Sequence, residues 1–212
     1  MDHDVSKMLS NRQIEMTKAV REGNLYEAMA CHAQYPQLYL VKDSLGCAPV
    51  FVACSQGHDK IVEWMLSLEG IDIFASDKND YNPLHAASSH GHLKVVNILL
   101  REGFSSPDQI DRVGFQGFSP FFVACIFDNL EIAKSLLRAG ADINKVDKKD
   151  NTALLIACKV GKINTVMFLV EEGANTNLRN SEGFTALQIA EFHFHKDIVN
   201  YLENHGVGLV TN

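Results

Sequence analysis

The feature that most constrains this chain is that it repeats itself. Ala48-Pro-Val-Phe-Val-Ala-Cys54 runs on to Gly57-His58, Ile61-Val62 and Met65-Leu66, and Asn82-Pro-Leu-His-Ala-Ala-Ser88 runs on to Gly91-His92, Val95-Val96 and Leu99-Leu100. Three further copies begin at Ser119, Thr152 and Thr185. Their equivalent positions Phe51, His85, Phe122, Leu155 and Gln188 are spaced by 34, 37, 33 and 33 residues. A period near 33 signals stacked structural repeats rather than one closed core. The longer step reveals an insertion between the second and third copies. Upstream, Ala19-Val-Arg-Glu-Gly23-Asn24 reads as a degenerate sixth copy, with Gly23 lying 34 residues before Gly57.

Each copy reads as two helices. Ser119, Thr152 and Thr185 can cap the first helix, because their hydroxyls accept from backbone N–H groups that lack helical partners. Pro49, Pro83 and Pro120 follow at the first helical position, where a missing N–H costs nothing. Gly57, Gly91 and Gly161 suit a left-handed turn at its end. The second helix carries apolar pairs at i, i+3 and i+4. Gly140-Ala-Asp-Ile-Asn144 and Gly173-Ala-Asn-Thr-Asn177 then punctuate the chain before the next copy.

The succession Asn-Pro-Leu-His-x-Ala, Gly-His, Ile-Val, Leu-Leu and Gly-Ala-Asp resembles the ankyrin repeat, over residues 13–206. The resemblance implies an all-α solenoid of stacked helix-turn-helix pairs with β-hairpin-like loops. It also implies a single domain over 1–212, with an N-terminal cap or degenerate repeat over 1–42. Repeats follow at 43–76, 77–110, 111–146, 147–179 and 180–212, the last acting as C-terminal cap. The motif histidine survives only as His85. Asp128 and Phe194 replace the helix-ending glycine in the third and fifth copies, so those two turns are expected to be distorted.

The resemblance further implies a protein partner bound on a concave face and on the hairpin tips. The variable tip position reads Cys47, Tyr81, Phe118, Asn151 and Phe184. Aromatic residues at a normally exposed position suit an interface, where aromatics are enriched. Variable positions late in the first helix add His90, Ile126, Phe127 and Phe192 as candidates. Either these rings form a docking strip from Tyr81 through Phe118 and Phe127 to Phe184 and Phe192, or some fold back as core between repeats. The insertion Gly103 to Gln116, with Phe104 and Phe115, reads equally as a functional loop or as a tolerated lengthening of the surface. Phe115 completes the candidate partner-binding set.

Other chemistries find little support. A formal net charge of −7, from 19 basic and 26 acidic residues, argues against nucleic acid, whose binders present a basic face. The densest basic cluster, Lys145, Lys148 and Lys149, is broken by Asp147 and reads as a solvated loop. Zinc needs three or four convergent ligands. His58, His92 and His195 instead occupy a repeat position where the ring bonds loop backbone, so no metal or other cofactor is expected. The five cysteines include no Cys-x-x-Cys pair and suit a reducing compartment. Cys54, Cys125 and Cys158 read as small buried hydrophobes, and Cys47 as an exposed thiol. Trp64 is assigned to packing between repeats. No phosphate loop, Gly-x-Ser-x-Gly or His-Glu-x-x-His motif is present, so no enzyme is expected. The expected function is a monomeric adaptor, scaffold or inhibitor in the cytoplasm or nucleus, without membrane insertion. The alternative is a regulatory or targeting subunit of an enzyme complex, or a secreted effector that acts by binding host proteins.

Overall fold

A computed structural model describes the backbone of residues 2–207 and the side chains of residues 11–207. The stretch of the expected C-terminal cap beyond residue 207 lies outside the described residues. Among the described residues there are helices and turns but no strand. The chain divides into two compact units between Ser105 and Ser106.

The first unit holds three helix pairs: α1 (Asp2–Arg21) with α2 (Leu25–Gln34), α3 (Pro49–Gln56) with α4 (Asp59–Leu66), and α5 (Pro83–Ser89) with α6 (Leu93–Glu102). First helices stack on first helices, α1 on α3 and α3 on α5, while α2, α4 and α6 form a second row. In the second unit a short helix α7 (Pro107–Ile110) precedes the pairs α8 (Pro120–Ile126) with α9 (Leu130–Arg138), α10 (Ala153–Val160) with α11 (Ile163–Glu171), and α12 (Ala186–Phe192) with α13 (Lys196–Asn204). Here α8, α10 and α12 stack in one row and α13 packs on α11.

The burial pattern follows the repeat. Ala53, Ala87, Ala124, Ala157 and Ala190 occupy one equivalent position on the first helices, and all are buried. A side chain of one carbon lets helix axes approach closely. The second helices bury their i, i+3, i+4 stripes, such as Ile61, Val62 and Met65, or Ile132, Ala133 and Leu136. Even the degenerate copy obeys the rule, since α1 buries Met16, Ala19 and Val20. Trp64 is half-buried, its ring edge-on to His32 of the preceding pair at 5.7 Å.

The helix boundaries have local causes. Asn82 Oδ1 accepts from the His85 N–H at 3.1 Å, and Ser119 Oγ accepts from the Phe122 N–H at 3.2 Å. Thr152 and Thr185 cap α10 and α12 in the same way. At the far end of the first helix the backbone turns left-handed in every copy. Gly57, Gly91 and Gly161 have φ of 75°, 79° and 80°. Asp128 and Phe194 have φ of 63° and 60° at the equivalent positions. The distortion expected at these two turns does not occur, because the stacked helices dictate the turn and the side chain accepts its cost. Gly57 is constrained twice, since a β-carbon there would also collide with the His92 ring. That ring bonds through Nε2 to the Ser55 carbonyl at 3.0 Å, tying one repeat to the next. His58 to the Arg21 carbonyl and His195 to the Lys159 carbonyl repeat the tie.

Two substitutions test these assignments. Leu136, fully buried, should lose about 2–5 kcal/mol on replacement by Ala. The half-buried Leu137 should lose about 1 kcal/mol; urea denaturation losses below about 0.5 kcal/mol at both would show the register to be wrong. The two non-glycine residues at the left-handed ends of first helices should respond with opposite signs. Phe194 is 84% exposed, so Phe194→Gly relieves backbone strain with little packing loss and should gain about 0.5–1 kcal/mol. By contrast Asp128 accepts a hydrogen bond from the buried Thr165 hydroxyl. Asp128→Gly orphans that hydroxyl, at a cost of about 1–3 kcal/mol that outweighs the relief.

Candidate functional site

The hairpin tips are framed by Asx turns. Asp43, Asp77, Asp147 and Asn180 each accept, on Oδ1, the backbone N–H groups two and four residues ahead, at 2.7–3.1 Å. Gly114, which has no side chain to form such a turn, stands at this position in the third copy, where backbone bonds run from the Gly114 N–H to the Phe118 carbonyl and from the Gly117 N–H to the Gly114 carbonyl. Backbone bonds join successive tips within each unit: Lys78 N–H to the Leu45 carbonyl in the first, and Lys148 N–H to the Gln116 carbonyl and Ser181 N–H to the Lys149 carbonyl in the second. The tips therefore project as a rigid row within a unit.

Their side chains are not uniformly open. Cys47 and Asn151 are each only 8% exposed, Tyr81 and Phe118 are half-buried, and Phe184 is 39% exposed. The reason is the residue four positions on, at the third position of the first helix. The Tyr81 ring sits edge-on to His85 at 5.1 Å, and the Phe118 ring stacks on Phe122 at 4.7 Å. Burial, then the Asp77 carboxylate, pushes the Tyr81 hydroxyl above its usual pKa. In the last copy that position is Gln188, which instead returns its side-chain oxygen to the Thr185 N–H at 3.0 Å. Lacking a ring beneath it, Phe184 turns toward Phe192, with ring centroids 6.4 Å apart.

The remaining candidates lie at the ends of first helices and in the insertion. In the first unit His90 is exposed, its Nδ1 lying 2.9 Å from the Ala86 carbonyl oxygen and its ring parallel to His92 at 6.1 Å. In the second unit Ile126 is half-buried, while Phe127 is 57% and Phe192 70% exposed. Phe115 is exposed beneath the Lys148 ammonium, 4.5 Å from its ring centroid, a cation–π contact. The insertion is otherwise anchored. Phe104 is buried against Phe74 in the first unit, and Ile110 is buried in the second. Asp111, also buried, accepts the Asp142 N–H at 2.9 Å, and desolvation raises its pKa above the usual carboxylate range.

In the second unit the structure also brings residues of two successive repeats together. Lys149, Asn151, Lys159, Asn180, Ile189 and His193 join Phe184 and Phe192, with Glu182, around a cleft of about 220 Å³. Lys159 and His193 occupy variable positions late in the first helix, in register with Ile126 and Phe127, and that repeat register is the signal in the sequence that points to them. Among the described residues, no group of three His, Cys, Asp or Glu is placed to hold a metal ion. Nor is any described helix long and apolar enough to cross a membrane.

The family of ankyrin repeats, in arrays of three copies, matches residues 16–111 and 121–211. The chain belongs to the ankyrin-repeat family. Ankyrin repeats are general protein–protein interaction modules. Among similar proteins, the ankyrin repeat protein nuc-2 of Neurospora crassa is 32% identical over 62% of this chain and 12% of its own length. The mouse ankyrin repeat and SOCS box protein 11 is 31% identical over 51% of the chain and 32% of its own length. An L-asparaginase of Dirofilaria immitis is 29% identical over 82% of the chain and 27% of its own length. The chain thus spans a third or less of each of these relatives.

Against this ankyrin frame the cysteines take on a definite meaning. Cys54, Cys125 and Cys158 are buried, and desolvation raises all three thiols, Cys158 to about 12. Cys47 was expected to be exposed and is not. Its N–H is held by Asp43, and its side chain lies beneath the tip. Burial, followed by the carboxylates of Asp43 and Asp77, pushes its thiol up to about 11. A raised thiol pKa leaves less thiolate at neutral pH, so Cys47 should be sluggish rather than reactive. In a variant whose other cysteines are Ala, the rate of Cys47 alkylation should climb about tenfold per pH unit through pH 10. A plateau near pH 9, where an ordinary thiol levels off, would show it to be open to solvent.

Proposed function

We propose that the chain is a monomeric protein-interaction module, an adaptor, scaffold or inhibitor, which docks a partner protein on its hairpin tips and on the ends of its first helices. The observation that carries this reading is the exposure of Phe127, Phe184 and Phe192 at loop tips and helix ends. Large rings held open on a rigid scaffold supply contact area at low entropic cost, which is the usual character of interface anchors. Phe118, Ile126 and Phe115 belong to the same unit as these rings and would contribute part of their area, and Tyr81 and His90 would do so on the first unit. The recurrence of this repeat block within relatives as differently named as a SOCS box protein and an L-asparaginase supports its reading as a portable binding part. Five unpaired thiols support a reducing compartment, the cytoplasm or the nucleus.

A comparative capture from native lysate, read by mass spectrometry, tests the reading. The baits are the wild-type chain and a variant with Phe127, Phe184 and Phe192 all changed to Ala. Since these rings are exposed, the variant should keep its circular dichroism and lose at most about 1 kcal/mol of stability. A partner held by the wild type and lost by the variant is the expected result. Equal capture by both baits would move the docking surface away from these rings, with Phe115 of the insertion the next position to alter.

A further inference from the structure

We infer that the cleft formed by Lys149, Lys159, Phe184, Ile189, Phe192 and His193 takes an extended acidic peptide segment carrying an apolar anchor residue. This rests on the interaction-module reading and specifies the chemistry of the partner. Three observations lead to it.

The first is size. A volume of about 220 Å³ falls below the ~300–1,000 Å³ of sites that enclose whole small molecules. It suits one or two side chains of a longer ligand.

The second is which groups remain available. The floor amides are already engaged. Asn180 accepts the Glu182 and Phe184 N–H groups and donates to Asn151 Oδ1 at 3.2 Å, while Asn151 donates to the Asp147 carboxylate at 3.0 Å. Among the described residues, Lys149 and Lys159 are both exposed and take part in none of the ion pairs, all five of which lie elsewhere. What the cleft offers a ligand is therefore two ammonium groups and the exposed parts of two phenyl rings, Phe192 being packed edge-on with the His193 imidazole at 5.2 Å, against one carboxylate, Glu182. In a chain with 26 acidic and 19 basic residues, that local basic excess favours an acidic partner at contact range, where screening is weakest. By comparison, the cleft beside α1 pairs its own charges, Lys18 lying 3.9 Å from Glu22.

The third is placement. Lys149 lies in the tip loop of one repeat and Lys159 near the end of its first helix α10, while Phe184 and Phe192 hold the corresponding places in the next repeat. A ligand that uses both sets must cross the repeat boundary, with carboxylates over the lysines and its anchor on the rings. An extended segment does this without folding.

Panning a display library of short random peptides on the full chain tests the inference, with hits re-measured by fluorescence polarisation. Enriched peptides should carry Asp or Glu beside a large apolar residue. Their affinity should fall at least about tenfold for Lys149→Glu/Lys159→Glu and, separately, for Phe184→Ala/Phe192→Ala. Binding should also weaken with added salt for the wild type and much less for the lysine variant. All four side chains are exposed, so neither variant should unfold. Enrichment of basic or neutral peptides, hits indifferent to both variants, or no hit tighter than about 100 µM would each overturn the assignment. The interaction-module reading would be untouched by these results, because the lysate capture decides it independently.

Discussion

Burial between neighbouring repeats is the constraint on which everything else depends. A single pair such as α8 with α9 exposes the stripe of Ile132, Ala133 and Leu136 unless another pair covers it. The equivalent alanines, from Ala53 to Ala190, make that cover possible by letting first helices approach closely. The histidine ties add direction to a contact that hydrophobic burial alone leaves undirected. Each ring spans from the start of one second helix to a carbonyl at the end of the first helix before it, over a left-handed turn that leaves it room.

Stacking of this kind overrides local preference where the two conflict. Phenylalanine is a poor residue for φ of 60°, and it nevertheless occupies that conformation at position 194. Asp128 at the same register is better suited, because a short polar side chain tolerates the left-handed region and here also satisfies the buried Thr165 hydroxyl. The strain is local, whereas the alternative would misplace α13 or α9 against its neighbours.

The same stacking turns variation into a binding surface. Because Asx turns and tip-to-tip backbone bonds hold the loops, the tip side chains are free to differ without loss of the scaffold. Whether a tip ring is held down or offered to a partner depends on the residue four places later. His85 and Phe122 engage the rings of Tyr81 and Phe118, whereas Gln188 leaves Phe184 to join Phe192 beside the lysines of the preceding repeat.

The sequence by itself determined the repeat period, the helix pairs, their caps and their buried stripes. Those properties come from short-range rules: a hydroxyl before a helix, a proline at its first position, apolar residues every three to four positions. It also marked the variable positions at which the exposed phenylalanines lie. Only the tertiary structure decided that Cys47 is buried, that Tyr81 and Phe118 lean on their own helices, and that Phe104 and Ile110 pin the insertion. Lys149 and Lys159 likewise joined Phe184 and Phe192 in one cleft only once the repeats were stacked. Exposure and convergence are relations between neighbouring repeats, set by side chains some 30 residues apart in the chain, and no local pattern encodes how closely those side chains will meet.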